Sequence, residues 1–513
     1  MKKSYANLQM PRFIQILTLI SLVLAYRLIY IQQGWITDDF VLYHEVSRLF
    51  SIGDIKAGLK LYSWSFYPAL ITIIHKLTTL SLTASAQTLT VALYGLTTYA
   101  LLSFIKRIGG DKKTILFGAL LFFSTLYVTG DVVSMLLRDT GFWAFYLLSL
   151  NAFHQYLLTP TLSHAMRWQL LMIIATLFRI EGVLFLILLP FMLFFEKQVP
   201  LKKQASLFLK ANAMSFFALL IIIVGMVLLP SIKMTDFGRL QVVTTLFDTG
   251  YLHLMTNFSS RADLMSSVVF HDHFDDVIYA SFFITLVGLI VLKVINATGW
   301  IAILFAFVKD KKASLKIEKN AQKLLLWAFL ISIISLLLII LNVMLISARY
   351  AIPATFIILI YASFNLSGLV AGANKKLKPM TQFFLILMAI ICGLSILKNI
   401  WPKKENIRYE QHAVNWAKEH TANPNKIFYV SPRARYYGSA PYQDRGYDFW
   451  DFTTTAILNR SILDYETLVI TLGGHHDVKA KEDWLSDQLP EYSLAHTEYG
   501  HKNKNRVLVF KKH

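Results

Sequence analysis

The sequence has a single cysteine, Cys392, in 513 residues. One thiol excludes an intrachain disulfide and a cysteine-built metal site. Charge is also scarce. Asp, Glu, Lys and Arg make up 16% of the residues, against 55% hydrophobic ones. A soluble chain of this length needs a charged surface over its cores. Here long stretches carry no charge, which places the chain among membrane proteins. Glycine-rich phosphate loops are missing. No Walker A segment, G-x-G-x-x-G or G-x-S-x-G appears, which argues against nucleotide-driven transport and serine-hydrolase chemistry on this chain. There is no internal repeat and no low-complexity tract.

The charge that is present leans basic, with 50 Lys+Arg against 31 Asp+Glu and a net charge of +19. A nucleic-acid partner is not expected, because the basic residues form short clusters between apolar segments, as the positive-inside rule requires. Contact with membrane lipids, or with an anionic lipid-linked substrate, accounts for the remainder. The basic segment Met1 to Arg12 precedes an apolar one, Phe13 to Ile31. That segment is long for a signal-peptide core and lacks a small-x-small cleavage site, so it reads as a retained first span.

Apolar runs long enough to cross the bilayer occur at 13–33, 85–105, 113–130, 139–158, 168–178, 181–196, 207–229, 278–307, 324–346, 351–371 and 380–399. The fold class they predict is a mainly α polytopic membrane protein of about eleven transmembrane helices. It comprises a membrane domain, 1–400, and a small soluble α/β domain, 401–513. The pair 168–178 and 181–196 is broken by Arg179-Ile180-Glu181-Gly182. Counted as two spans, it puts every Lys/Arg cluster on one face. These clusters run from Lys2, Lys3 and Arg12 to Lys375, Lys376 and Lys378. The expected location is a bacterial inner membrane, with the N-terminus cytoplasmic and the C-terminal domain periplasmic. The outer face then receives loop 34–84, loop 231–277 and the C-terminal domain. Within loop 34–84, Phe40 to Phe50 reads as an interfacial amphipathic helix. Tyr62 to Tyr67 is an aromatic stretch ahead of Pro68. In the C-terminal domain, Tyr409 to His420 and Glu482 to Leu489 read as helices. Ile427 to Val430, Leu468 to Leu472 and Val507 to Phe510 read as strands.

The acidic, aromatic and histidine residues gather on the outer face. Asp38-Asp39, just past the first span, is either a solvated span end or a general base held above the bilayer. Arg138-Asp139 is either an ion pair anchoring a helix end or a pair facing a cavity. Arg179-Ile180-Glu181-Gly182 is either a plain turn or the polar lining of a cavity. Arg349, with Arg138, Arg179, Lys233, Arg239 and Arg261, suits a phosphate or pyrophosphate leaving group, although each alone reads as a snorkelling cation. No cofactor is expected. His271-Asp272-His273 with Asp275 and Asp276 has the composition of a metal cluster but no fixed ligand spacing, which leaves His271 and His273 as candidates for a divalent metal.

Taken in order, these elements resemble the membrane-embedded, lipid-phosphate-dependent glycosyltransferases of the GT-C superfamily. The nearest branch is the bacterial relatives of dolichyl-phosphate-mannose–protein mannosyltransferases and of the aminoarabinose transferase. The elements are Asp38-Asp39, Trp64 to Pro68, Arg138-Asp139, Arg179-x-Glu181-Gly182, Arg349-Tyr350-x-x-Pro353 and a small soluble C-terminal domain. Ile180 departs from the proline common in that turn. The resemblance implies inverting transfer of a sugar from a polyprenyl-phosphate donor to an extracytoplasmic glycan, lipid or protein. It assigns Asp39 or Asp38 as the base, with Asp39 preferred, and Asp139 as a second acid. It leaves Arg138, Arg179, Glu181, Arg349, Tyr350 and Tyr67 for substrate. A flippase or transporter of lipid-linked sugars, or an oligosaccharide polymerase or ligase, is the alternative.

Overall fold

The computed structural model describes residues 2–32, 35–195, 199–228, 250–269, 277–307, 317–371, 379–402, 408–443, 449–473, 478–500 and 505–513. The first part of the chain folds as α1 (Lys2–Ile31), α2 (Asp38–Ser51), α3 (Ile55–Leu61), α4 (Phe66–Thr78), α5 (Leu82–Arg107) and α6 (Lys112–Ser124). Two short helical turns, Leu126–Asp131 and Val132–Met135, lead to α7 (Asp139–Leu158), α8 (Leu162–Phe178) and α9 (Gly182–Leu188), which ends in a 3-10 segment, Leu189–Phe195. Then come α10 (Leu201–Ala211), α11 (Ala213–Leu228), α12 (Gly250–Val269), α13 (Ile278–Thr298), α14 (Trp300–Phe307), α15 (Lys319–Val343), α16 (Ile352–Ala371) and α17 (Pro379–Ile400).

Among the described residues, six helices are long and apolar enough to cross a membrane. The number is seven if α6 and the turns after it, bent by 57°, count as one span. This corrects the expectation of about eleven. The extra runs are apolar for a different reason. Helix α8 has 17 residues, and the described part of α11 has 16. At about 1.5 Å per residue α8 falls short of the roughly 30 Å hydrocarbon layer. Helix α9 is shorter still. Helix α7 has 20 residues but carries Asp139, Thr140, Ser149, Asn151, His154 and Gln155. It packs against α5 and α8 and touches α15 and α16, so its apolar residues face protein. A hydropathy window cannot tell such a core helix from a lipid-facing one. The genuine candidates show the difference. Ile16, Leu19, Ile20 and Val23 of α1 and Phe383, Ile386, Ile390 and Leu394 of α17 are exposed, as lipid-facing positions are. The chain is a multi-pass membrane protein.

The break after α6 is satisfied by the last membrane helix. The Asn399 amide donates to the carbonyls of Phe123 and Thr125, both at 3.2 Å. The Thr125 carbonyl also accepts the Thr129 and Gly130 N–H groups, both at 3.3 Å, so Asn399 adds a side-chain donor at the bend. Asn399 reaches the two carbonyls because residue 130 is glycine, where a Cβ would overlap its side chain.

The C-terminal region comprises α18 (Tyr409–Glu419), β1 (Ile427–Tyr429), α19 (Pro432–Gly438), α20 (Phe449–Leu458), β2 (Thr467–Leu472), α21 (Val478–Gln488), β3 (Tyr492–Tyr499) and β4 (Arg506–Lys512). The four strands form an open sheet in the order β1-β2-β4-β3. β1 runs parallel to β2 with Phe428 opposite Leu468, and the other pairings are antiparallel, with a bulge between Leu494 and His496. Alternate residues serve opposite faces. Phe428, Leu468, Ile470, Leu508 and Phe510 pack with Ile457 of α20 and Leu485 of α21. Ile427, Tyr429, Val469, Val507 and Val509 pack with Ala413, Val414 and Ala417 of α18 and Ala434 of α19. Helix α19 in turn meets α2 of the membrane region.

Candidate active site

Thr37 caps α2 by accepting the Phe40 N–H at 3.2 Å, which leaves Asp38 and Asp39 in the first turn, where the helix dipole favours anions. Burial of Phe40, Val41, Tyr43 and Val46 fixes the helix's inner face. The Thr72 hydroxyl donates to the Ser47 carbonyl at 3.1 Å and the Ser47 hydroxyl to the Pro68 carbonyl at 3.1 Å, which ties α2 to α4. The two carboxylates therefore sit on a fixed helix and meet different cations. Arg349 Nη1 donates to Asp39 Oδ2 at 2.6 Å. Asp38 lies 3.2 Å from Nε of Arg433, which comes from α19 in the C-terminal region. The same guanidinium pairs with buried Glu410 at 2.9 Å. Burial disfavours a charge on Arg433, but Glu410 and Asp38 outweigh it and raise its pKa. Burial also pushes the Glu410 carboxyl up, with Arg433 acting against it.

Asp139 opens α7 and is 1% exposed. Its partner is Arg179, just after α8. The contact depends on Gly141, where a Cβ would overlap the ring of Phe178, the residue before Arg179. Arg179 also grips Glu181 twice, through Nε at 3.2 Å and Nη2 at 2.6 Å. Burial pushes the Glu181 carboxyl up, but the charge and hydrogen bonds of Arg179, with help from Arg138, bring it down to about 2. The Arg179 guanidinium lies over the Tyr350 ring at 4.4 Å, and the Arg349 guanidinium is 5.7 Å from the same ring. Tyr350 thus joins the Asp39 pair to the Asp139 pair by cation–π contacts.

Arg138 donates to the Tyr62 hydroxyl and faces the Tyr62 ring at 5.8 Å. Tyr43 packs on Tyr62 at 5.6 Å and on Tyr67 at 5.5 Å. Tyr67 works behind this layer. Its hydroxyl donates to the Leu136 carbonyl at 3.1 Å. Leu136 sits at φ 54° and ψ 46°, a left-handed conformation that costs a non-glycine residue roughly 1–2 kcal/mol. Tyr67 therefore holds the strained turn that delivers Arg138 and Asp139.

Most of the cationic donors are taken. The crevice lined by Phe142, Arg179, Glu181, Arg349, Tyr350 and Pro353 has about 10 Å³ of free space, roughly one water. Arg349 Nε and Arg433 Nε are exceptions: both are buried and make no hydrogen bond among the described residues, although Arg433 Nε lies 3.2 Å from Asp38. A buried donor of this kind is costly unless an acceptor arrives.

The structure thus brings together Asp38, Asp39, Arg138, Asp139, Arg179, Glu181, Arg349 and Tyr350, and sets Tyr67 behind them. Arg261 is exposed on α12 and makes no hydrogen bond or ion pair with this cluster among the described residues. Lys233, Asp236, Arg239, Asp248, His271, Asp272, His273, Asp275 and Asp276 lie outside the described residues. Among the described residues, no group of three His, Cys, Asp or Glu side chains is placed to hold a metal. Sequence reasoning missed Tyr62, Glu410 and Arg433. Arg433 belongs to a basic and aromatic run, Pro432-Arg433-Ala434-Arg435-Tyr436-Tyr437, which was the available signal. Chemically, the cluster offers a carboxylate steered by an arginine, an unsatisfied guanidinium donor next to it, and a buried ion-pair frame behind both. Comparison with known proteins gives no match, neither to a family model nor to a curated protein sequence.

Proposed function

We propose that the chain is a membrane glycosyltransferase that moves a sugar from a polyprenyl-phosphate donor to an acceptor on the outer face of a bacterial cytoplasmic membrane. The observation that carries this reading is the Asp39–Arg349 pair, with its buried free donor, set against the Tyr350–Arg179–Asp139 frame. In-line displacement at an anomeric carbon needs a base for the acceptor's proton and positive charge on the departing phosphate. Asp39 commits Oδ2 to Arg349 and keeps Oδ1 for the proton. Arg349 Nε and the Arg138 guanidinium supply donors for phosphate oxygens. The acceptor oxygen bonds to the anomeric carbon, the bond from that carbon to the phosphate oxygen breaks, and the polyprenyl phosphate leaves with the electron pair. The sugar inverts. Asp139 acts through Arg179 as a positioning group. The crevice opens by side-chain movement to admit a head group, since it holds about one water when closed.

Further support comes from the order of motifs, which resembles the lipid-phosphate-dependent glycosyltransferases. The test replaces Asp39 and Asp38 by Asn, singly and together, in full-length protein reconstituted with a polyprenyl-phosphate sugar. Asp39→Asn is expected to lower transfer by about 10²–10⁴-fold, the usual worth of a positioned base. Asp38→Asn is expected to lower it less. Full transfer by the double variant overturns the assignment.

A further inference from the structure

Beside the acid pair, α2 and α19 enclose a cleft of about 660 Å³. Its volume is within the roughly 300–1,000 Å³ typical of small-molecule sites. The α2 wall begins one turn past Asp38-Asp39 and carries Val41, His44, Glu45 and Arg48. Arg48 lies about 15 Å along the helix from Asp38. The opposite wall is the basic and aromatic run of α19 and the segment after it, including Arg435, Tyr436 and Tyr442. Tyr436 is fixed there. Its hydroxyl pairs with Thr83 at 2.8 Å, and its ring meets His44 edge-on at 5.1 Å.

The charges in this cleft do not cancel. Glu45 is held on both oxygens by Arg48, at 2.8 Å each. His44 is kept toward its neutral form by burial, with Arg48 adding to the effect and Glu45 opposing it. Arg435 is left over. It is 9% exposed, and its Nε donates to the Pro441 carbonyl at 2.7 Å. No carboxylate pairs with it among the described residues, and burial pulls its pKa down. It lines a second cavity as well, of about 530 Å³, on the far side of Ser439 and Pro441. A buried guanidinium anchored through Nε, with two cavities against it and no paired carboxylate among the described residues, is built to receive an anion. Tyrosine and proline walls present flat apolar surface with polar tips, which suits the faces of sugar rings.

We propose that this cleft binds the acceptor as a sugar chain bearing an anionic group, carboxylate or phosphate, held by Arg435, with the chain running along α2 toward Asp39. The inference rests on the glycosyl-transfer reading for its role, and on the cleft alone for binding. It also explains why the C-terminal region docks where it does. Helix α19 supplies one wall of the site, and Arg433 of the same helix ties that wall to Asp38.

The experiment measures equilibrium binding of three probes to the full-length protein in nanodiscs, with no donor present. The probes are maltotriose, trigalacturonate and phosphorylated maltotriose. At least one anionic probe is expected to bind tenfold or more tighter than maltotriose and to weaken as salt is raised. Which one does so identifies the anion. Arg435→Met is expected to remove that preference, and Arg435→Lys to keep part of it. Equal binding of neutral and anionic probes, or an unchanged preference in Arg435→Met, overturns the proposal. If Arg435→Met does not fold, the methyl ester of trigalacturonate on the unaltered chain makes the same test, and equal affinity for ester and acid overturns it. The two readings fail separately. A chain that binds the anionic sugar but transfers nothing from any polyprenyl-phosphate sugar keeps the cleft and loses the transferase. A chain that transfers to neutral acceptors without preferring the anion keeps the transferase and loses the cleft.

Discussion

The crevice at Tyr350 and the cleft along α2 use the same kinds of side chain, arginine, glutamate and tyrosine, to opposite ends. At the crevice, Arg179 is bound by Asp139 and Glu181, Arg349 is bound by Asp39, and about 10 Å³ of space remains. In the cleft, two arginines and one glutamate line about 660 Å³, with Arg48 and Glu45 paired on the α2 wall. Internal pairing makes the first a frame, and the second, where Arg435 pairs with no carboxylate among the described residues, is the proposed receptor. Removing charge from the frame should cost stability, whereas removing it from the receptor should cost affinity.

Arg179→Met tests the frame and carries the largest expected effect. It leaves Asp139, 1% exposed, without its cation, and also strips Glu181 of two hydrogen bonds. Breaking a buried pair from one side costs about 3–5 kcal/mol. The expected outcome is a large fall in the midpoint of thermal unfolding in detergent, or loss of folded protein on expression. Substituting Arg435 should leave that midpoint close to the unaltered value. Equal destabilisation by the two changes would erase the distinction between frame and receptor.

Acid titration sharpens the same point. Arg179 holds the folded-state pKa of Glu181 at about 2, below its ordinary 4.5. A depressed carboxylate contributes stability that is fully present above its unfolded pKa and is lost as pH falls through the folded one. The contribution of Glu181 should therefore be complete above about pH 5 and decline between pH 4.5 and 2. Glu181→Gln should flatten the dependence of the unfolding midpoint over that window, and an unchanged slope would remove Glu181 from the frame.

Much of this arrangement was legible in the sequence, and the rest was hidden for identifiable reasons. Asp38, Asp39, Asp139, Arg179 and Arg349 stood out because ionisable groups at span ends are costly without a purpose. Their mutual contacts follow from packing, such as Phe178 against Gly141, which no periodicity encodes. Strands β1, β2 and β4 announced themselves as apolar runs of β-branched and aromatic residues. β3, Tyr492–Tyr499, did not, because it is an edge strand with a largely exposed middle and a bulge. The span count failed at α7, whose apolar residues face protein, and at α8 and α9, which are too short to span, because hydropathy records neither what covers a helix nor where it ends. Arg433 and Arg435 were invisible as site residues, because Asp38, which pairs with Arg433, and the α2 wall opposite Arg435 lie far back along the chain, and only docking of the C-terminal region brings them together.

Helix α2 provides the smallest effect and the finest test. The Glu45–Arg48 pair lies on the surface of the helix, with the Arg48 side chain 47% exposed. Exposed i,i+3 pairs contribute a few tenths of a kcal/mol at most, because water screens them and ordering two long side chains costs entropy. Arg48→Ala should therefore leave the unfolding midpoint almost unchanged. Binding should respond instead. With Arg48 gone, the Glu45 carboxylate is left unpaired in the cleft that Arg435 lines, and the cleft loses its net positive charge. Affinity for an anionic sugar should fall by less than tenfold, equivalent to under about 1.4 kcal/mol. Affinity for maltotriose should not change. Glu45→Gln should move the anionic affinity the other way, because it removes the only acid that lines the cleft among the described residues. Opposite shifts from the two halves of one ion pair, at constant stability, are what a receptor predicts and a frame does not.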